Sequence, residues 1–360
     1  MKQYYQVGAK TFAEPYAALR QSARTGKFAE YVVPADYKQS FLGIDPQKLP
    51  DNKILMQQKA EYLNNNFNCR FHYSGGVDSH SVVNLVDWPI HYMYLRGLID
   101  VRYVDEEYMF GYDYLQEHNL PTQIRYIKLE EFEVWKDTEA PYKYGDFYYG
   151  VSPSWISGYD IAQASAYDLE VTAYEKPLLY KKGDDYYWLI NDGPDIMVDA
   201  NRVDFFLDDM YPELAVKQVY SFRDYFEQVY PDLQGFLYWK ETDQDDLLRN
   251  MGRNVDRPAQ PHKKTIDYWW DNHHLNYKHR RTIEELEKLG RQDIMKDWIA
   301  AGESLIADCN AASHGIRIAE KMLDGYGTVR MPQRINRIGA IYKMHKTELE
   351  LLDHADISQL

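Results

Sequence analysis

Two spacings of apolar residues run through the chain. Between residues 69 and 195, short apolar runs alternate with helical spacings. Residues 69–73 (Cys-Arg-Phe-His-Tyr) read as a strand, and Ser79, Val82, Val83, Leu85 and Val86 begin a helix that ends at the Asp87-Trp88-Pro89 break. Residues 99–104 read as a second strand ending at Asp105, followed by a helix carrying Tyr108, Met109, Tyr112, Leu115 and His118. Residues 124–129 give a third strand, residues 138–157 a Tyr- and Pro-rich loop or lid, residues 158–168 a helix and residues 169–174 a fourth strand. Strands alternating with helices in this way predict a parallel sheet. Residues 178–191 read as a β-hairpin turning at Gly183-Asp184.

The flanks read as helical. In residues 1–68, Pro15 opens a helix ending near Gly26, and Asp51 caps a second one running to Phe67. From residue 196 onward, Phe222, Phe226, Val229 and Leu233 fit one amphipathic stretch, Ile283, Leu286 and Leu289 another, and Leu305 to Met322 a third. The expected fold is α/β: a parallel-sheet, Rossmann-like core over 69–195 between a helical N-terminal segment (1–68) and a helical C-terminal region (196–360).

The candidate chemistry sits at the first strand–helix corner, Ser74-Gly75-Gly76-Val77-Asp78-Ser79. Adjacent glycines admit backbone angles closed to other residues and let a ligand approach the main chain. Amides at the start of the following helix favour an anion. Ser74 and Ser79 add hydroxyl donors, and Asp78 stands where a magnesium–phosphate complex would want an acid. Ligands of open parallel sheets bind beyond the carboxyl ends of the strands, which makes Glu175 and Lys176, just after the fourth strand, further candidates. Lys176 would hold a phosphate oxygen, and Glu175 would hold magnesium or act on the substrate; an ion pair beside the Pro177 turn explains the same two residues structurally.

The hexapeptide, with a strand before it and a helix after it, resembles the pyrophosphate loop of the PP-loop ATP pyrophosphatase superfamily (adenine nucleotide alpha hydrolase-like). Together with Tyr174-Glu175-Lys176-Pro177, it is similar to PP-loop proteins of large tailed bacteriophages that are called asparagine-synthase-like. The resemblance covers residues 1–195. It implies ATP and Mg²⁺ as cofactors, with Ser74, Gly75, Gly76, Val77, Asp78 and Ser79 around the pyrophosphate, Asp78 on the metal, and Val104 and Asp105 near the adenosine. It also implies cleavage between the α- and β-phosphates, with Asp78, Ser79, Glu175 and Lys176 as the catalytic set. The acceptor would be a small molecule or a nucleobase, adenylated on a carboxylate or amide oxygen and then attacked by an amine or ammonia. The rival readings are a sulfur-transfer or sulfonucleotide-reductase-like enzyme, a tRNA- or nucleobase-modifying enzyme, and a non-catalytic ATP-binding protein.

Composition narrows these readings. The formal net charge of −15 over 360 residues counts against a surface built for nucleic acid. A basic, aromatic stretch at 262–281 speaks the other way locally, and a charged helix face explains it equally well. Two cysteines, Cys69 and Cys309, are too few for a disulfide framework and form no CxxC pair, which weighs against sulfur relay. Position 2 is Lys, so the N-terminal cysteine glutaminase of asparagine synthetases is not expected. No apolar run approaches the about 18 residues of a membrane span, and the first residues lack a signal-peptide core, so a cytoplasmic protein is expected, in a host cytoplasm if phage-encoded. Asp192 and Asp195 read as turn residues before metal ligands, and Arg330, Arg334, Arg337 and Lys343 as a phosphate clamp or as solvated helix charges. The oligomeric state stays open.

Overall fold

The structure is a computed structural model that describes residues 4–12, 18, 21–22, 24–27, 29–96, 106–127, 166–173, 177–191, 203–205, 211–237, 244–256, 287–288, 290–291 and 338–352. Its centre is a five-stranded sheet in which every neighbouring pair is parallel. The strands are β4 (Cys69–His72), β5 (Ile90–Arg96), β6 (Thr122–Ile127), β7 (Leu169–Thr172) and β10 (Val203–Phe205), in the spatial order β10-β7-β4-β5-β6. The chain therefore winds outward one way through β5 and β6, then returns to lay β7 and β10 on the other side of β4. The reversal falls between β4 and β7.

One face of this sheet is apolar. Cys69, Phe71 and Tyr73 alternate inward along β4 and join Val171 of β7 and Met93 of β5. Helix α2 (Asn52–Asn66) covers them with Leu55, Met56, Ala60 and Leu63. Full burial of each such side chain is worth roughly 1.5–3 kcal/mol, which makes this layer the main source of the sheet's stability. Phe71 stacks on Trp88 at 5.3 Å. Helix α4 (Glu106–Glu117) adds Leu115, and α5 (Pro212–Val229) adds Leu214.

The strand neighbouring β4 on the β5 side differs from expectation. It is Ile90–Arg96, a run in which His91 and Tyr92, both buried, mask the apolar character of the strand. The expected strand at 99–104 lies outside the described residues. The helix expected over 79–87 is also corrected: α3 spans only Val77–His80. The Ser81 hydroxyl takes the Val77 carbonyl at 2.7 Å, and the Trp88 indole takes the Val82 carbonyl at 3.1 Å. The Val77 carbonyl also keeps its helical bond from the Ser81 amide at 3.0 Å, so the departure comes at Val82, whose carbonyl takes the Leu85 amide, three residues on, and the Trp88 indole, each at 3.1 Å. The β-branched Val82, Val83 and Val86 do not resist the change.

A second sheet, antiparallel and in the order β11-β8-β9-β12-β13, goes beyond the hairpin that the sequence announces. The hairpin is β8 (Leu178–Lys182) and β9 (Asp185–Asn191), turning through Gly183 at φ 61°. Its partners, β11 (Gly235–Leu237), β12 (Ile338–Met344) and β13 (Leu349–Leu351), lie in the region expected to be helical. The N-terminal segment also opens as a three-stranded antiparallel sheet, β1 (Tyr4–Val7), β2 (Lys10–Phe12) and β3 (Ala29–Val32), followed by the short α1 (Ala35–Gln39). Gly339 explains why β12 reads poorly as a strand: an added Cβ would lie 2.2 Å from Val33 and 2.6 Å from Tyr31, so the position must be bare for β12 to meet the β3 region. An aromatic group of Phe41, Trp188 and Tyr342 fills this second core.

Helix α5 joins the two cores. Leu214 belongs to the parallel-sheet core, whereas Val216, Val219, Tyr220, Phe222 and Phe226 belong to the antiparallel one. Ser221 of α5 accepts a hydrogen bond from Asn52 at the start of α2 at 2.9 Å. Among the described residues, no helix is long and apolar enough to cross a membrane.

Candidate functional site

The loop Ser74–Gly76 leaves the carboxyl end of β4, the central strand, directly at the reversal of strand order. In doubly wound sheets that reversal opens a crevice between neighbouring strand ends. The Tyr73 amide donates to the Tyr92 carbonyl at 3.0 Å, extending the β4–β5 pairing to the edge of the loop. Gly75 then takes φ 79°, a left-handed angle costly for any other residue.

The loop's hydroxyls close a ring among themselves. The Ser74 amide donates to the Ser79 hydroxyl at 3.2 Å, and the Gly76 amide donates to the Ser74 hydroxyl at 3.2 Å. The two hydroxyls lie 3.1 Å apart, and the Ser79 hydroxyl donates to the Gly76 carbonyl at 3.1 Å. Since Ser79 has one proton, Ser74 donates in the hydroxyl pair. Ser79 is buried and fully used as a pin for the turn, while Ser74 is half-buried at its mouth. An anion would have to exchange the Ser74–Ser79 bond for a bond of its own. With α3 only one turn long, its dipole is small, so attraction for an anion rests on the loop amides and on Ser74.

Helix α4 forms one wall, through a residue that the sequence motifs do not single out. A Cβ added at Gly111 would stand 2.9 Å from the Gly75 nitrogen and Cα and 2.6 Å from the Met93 methyl. A glycine inside a helix costs about 1 kcal/mol relative to alanine, and here it lets the helix touch the loop backbone. The signal in the sequence is a lone glycine in an otherwise good helical pattern. Behind the loop, the Tyr73 hydroxyl and His80 Nδ1 lie 2.9 Å apart, with Phe110 and Tyr114 of α4 packed against the imidazole.

The other residue outside the motifs is Arg253, which forms an ion pair with Asp78. Its guanidinium side chain has no exposed surface, whereas Asp78 is 24% exposed. Burial pushes the guanidinium's pKa down, and the Asp78 charge opposes that. A second guanidinium nitrogen donates to Gln218 of α5 at 3.0 Å. Arg253 is held in place by the end of α6 (Gln244–Asn250): the Gly252 amide bonds the Arg249 carbonyl and the Arg253 amide bonds the Leu248 carbonyl, each at 2.9 Å, with Gly252 at φ 72°. This is a Schellman turn, and the Leu-Leu-Arg-Asn-Met-Gly run announces it.

On the sheet face away from Phe71, β4 and β7 carry a buried polar cluster. Arg70 Nε and His72 Nε2 each lie 2.7 Å from the same oxygen of Glu170, and the Arg70 guanidinium sits 4.1 Å above the Tyr92 ring. The parallel register places Arg70 beside Glu170 and His72 beside Thr172. The alternation of Arg70 and His72 on one strand and of Glu170 and Thr172 on the other is readable as a second, polar face.

The structure thus brings Ser74, Gly75, Gly76, Val77, Asp78 and Ser79 together in one turn. Val104, Asp105, Glu175 and Lys176 lie outside the described residues, as do residues 138–157, Asp192, Asp195, the 262–281 stretch, Cys309, Arg330, Arg334 and Arg337. Lys343 lies in β12 and pairs with Asp185 at 2.8 Å, a strand contact and not part of a helical clamp. Cys69 is buried with its thiol against the Leu63 carbonyl. Magnesium fits the described residues poorly: no three His, Cys, Asp or Glu side chains converge among them, and Asp78 is engaged by Arg253. Compared with protein-family models and with curated proteins, the chain finds no match.

Proposed function

We propose that the chain is an ATP-dependent, AMP-forming enzyme of the PP-loop type. An acceptor oxygen, carboxylate or amide, attacks the α-phosphorus of ATP. The bond to the bridging oxygen breaks and pyrophosphate leaves with that electron pair. An amine or ammonia then attacks the adenylated carbon and expels AMP, releasing one proton and leaving an amide or amidine.

One observation carries this reading: the Ser74–Ser79 hexapeptide stands at the carboxyl end of the central parallel strand, at the reversal of strand order. Gly75 and Gly76 are the residues through which a pyrophosphate would meet backbone amides, the Gly76 amide by giving up its bond to the Ser74 hydroxyl, and Ser74 is the hydroxyl at the mouth. Donors fixed before the reaction stabilise charge as it develops on a leaving group, and this stabilisation dominates catalysis of such chemistry. Glu175 and Lys176 come three and four residues after β7 in the chain and keep their proposed roles, Glu175 as a magnesium or substrate contact and Lys176 as a phosphate contact. Sulfur relay through Cys69 is disfavoured, because a nucleophilic thiol needs exposure and an electropositive setting.

Turnover of ATP labelled at the α-phosphate, across carboxylate and amide acceptors with ammonia present, tests the reading. Label recovered in AMP, with pyrophosphate as co-product, supports it. Label recovered in ADP, with release of phosphate, overturns it.

A further inference from the structure

We infer that Asp78 serves as the counter-ion of Arg253 and not as a cation ligand, and that Arg253 is a positioning residue which couples the loop to helices α5 and α6. The inference rests on the PP-loop reading only for the identity of the ligand; the pairing itself stands on geometry.

Three features support it. First, the Arg253 guanidinium is wholly buried and bonded on one side to Asp78 and on the other to Gln218. A buried guanidinium stays charged and needs its counter-charge, so the carboxylate is committed for as long as the fold is intact. Second, the backbone of Arg253 is locked by the Gly252 turn, where an added Cβ would stand 3.0 Å from the Asn52 Cβ and 3.1 Å from the Lys53 nitrogen. Arg253 cannot swing away without undoing the end of α6 and its seat on α2. Third, the neighbouring backbone lies close as well: the Ser81 hydroxyl, which gives its proton to the Val77 carbonyl at 2.7 Å, comes within 3.4 Å of the Asn254 carbonyl. The turn that carries Asp78 is therefore held by Arg253 and lies against residue 254.

The consequence for binding is specific. A phosphate arriving at Ser74–Gly76 meets a carboxylate already neutralised by a cation, so Asp78 does not repel it. A divalent cation would have to displace a buried guanidinium to reach the same oxygen. The loop then takes its anion without metal ligation by Asp78, and any metal enters on the phosphates or on residues elsewhere.

The test is a double-mutant cycle with Asp78→Asn, Arg253→Met and the double variant in the full chain, read by thermal unfolding and by Mn²⁺ titration of the nucleotide-free protein followed by electron paramagnetic resonance. Asp78→Asn strands the buried charge and should lower the midpoint by roughly 5 °C or more. Arg253→Met should cost less, because Asp78 can turn to water, and the double variant should recover much of the Asp78→Asn loss. Arg253→Lys should keep the charge but not the two-sided grip, giving partial rescue relative to Arg253→Met. Mn²⁺ affinity of the wild-type protein should be unchanged by Asp78→Asn. The inference is overturned if the two substitutions are additive in stability, or if Asp78→Asn removes Mn²⁺ binding while the midpoint stays put. Failure of the wild-type protein to bind ATP, with the coupling intact, would sink the functional reading and leave the pairing standing.

Discussion

Arg70 and Arg253 are both buried against carboxylates, and the two pairs are built differently. Arg70 lies within the sheet, where it shares one oxygen of Glu170 with His72 and is backed by the Tyr92 ring. Glu170 stands on the neighbouring strand in fixed register, so this pair belongs to the scaffold. Arg253 comes from a turn after α6 and reaches a carboxylate in the loop itself, 175 residues earlier in the chain. That pair joins the loop to a layer made by the second half of the chain. The first pair sets where the crevice is; the second sets how the loop within it is held.

The comparison can be broken at its stronger end first. Glu170→Gln leaves Arg70 and His72 without the shared charge and should cost about 3–5 kcal/mol in urea unfolding. It should exceed Asp78→Asn, since Glu170 holds both the Arg70 guanidinium and the His72 ring through one oxygen; the reverse order would mean that the loop pair, not the sheet pair, is the scaffold. Next comes Gly111→Ala. Overpacking against the Gly75 backbone should cost roughly 1–3 kcal/mol, more than the about 1 kcal/mol that alanine returns to the helix. The same variant should lose affinity for ATP in calorimetric titration, whereas a stabilised protein would show that α4 does not press on the loop.

Tyr73→Phe removes the hydroxyl beside His80 Nδ1 and should cost about 1 kcal/mol, read by the same urea titration. A pH effect should follow from His91, whose pKa is pushed down by burial against the opposing pull of the Pro121 and Val83 carbonyls. The folded state then binds fewer protons there than the unfolded chain. The stability present above the unfolded value of about 6.5 is therefore lost as pH falls below it toward the folded pKa. Replacing His91 with Gln should flatten unfolding free energy over that window; an unchanged slope would assign the pH dependence to other groups. At the small end, Lys343→Met removes a solvent-facing pair with Asp185 and should leave the unfolding midpoint unmoved.

Much of the parallel sheet is legible in the sequence because its strands and helices obey one period at a time. Helix α2 runs from Asp51 to Phe67 as its start and stop signals say, although the Asp51 side chain makes no cap bond. Helix α4 follows its apolar spacing, α5 buries Phe222 and Phe226 but ends at the exposed Val229, short of Leu233, and β7 and the β8–β9 hairpin fall where alternation and the Gly183 turn put them. The failures have physical causes. β5 is written in histidine and tyrosine, so the burial of His91, Tyr92 and Met93 is visible only once β4 and β6 flank it. β12 begins with Gly339 and Ala340 after Ile338, small because β3 needs the space, and small residues carry little strand signal. The one-turn α3 reads as longer than it is because the bonding beyond it tightens at Val82, where the Leu85 amide and the Trp88 indole share one carbonyl, and no periodicity registers that.

The site is legible in the same uneven way. The loop itself is contiguous and can be read whole. Arg253, Gly111 and Glu170 come from distant positions, and only the fold brings them to Asp78, Gly75 and Arg70. Arg253 carries a local signal in its Schellman glycine, but its partner does not.

The most direct measurement is amide hydrogen exchange of the full chain with and without ATP. The account predicts slowed exchange concentrated in peptides spanning residues 73–81, with a smaller effect over 110–112 where α4 meets Gly75. Unchanged exchange across 73–81, with protection arising in another segment, would contradict it.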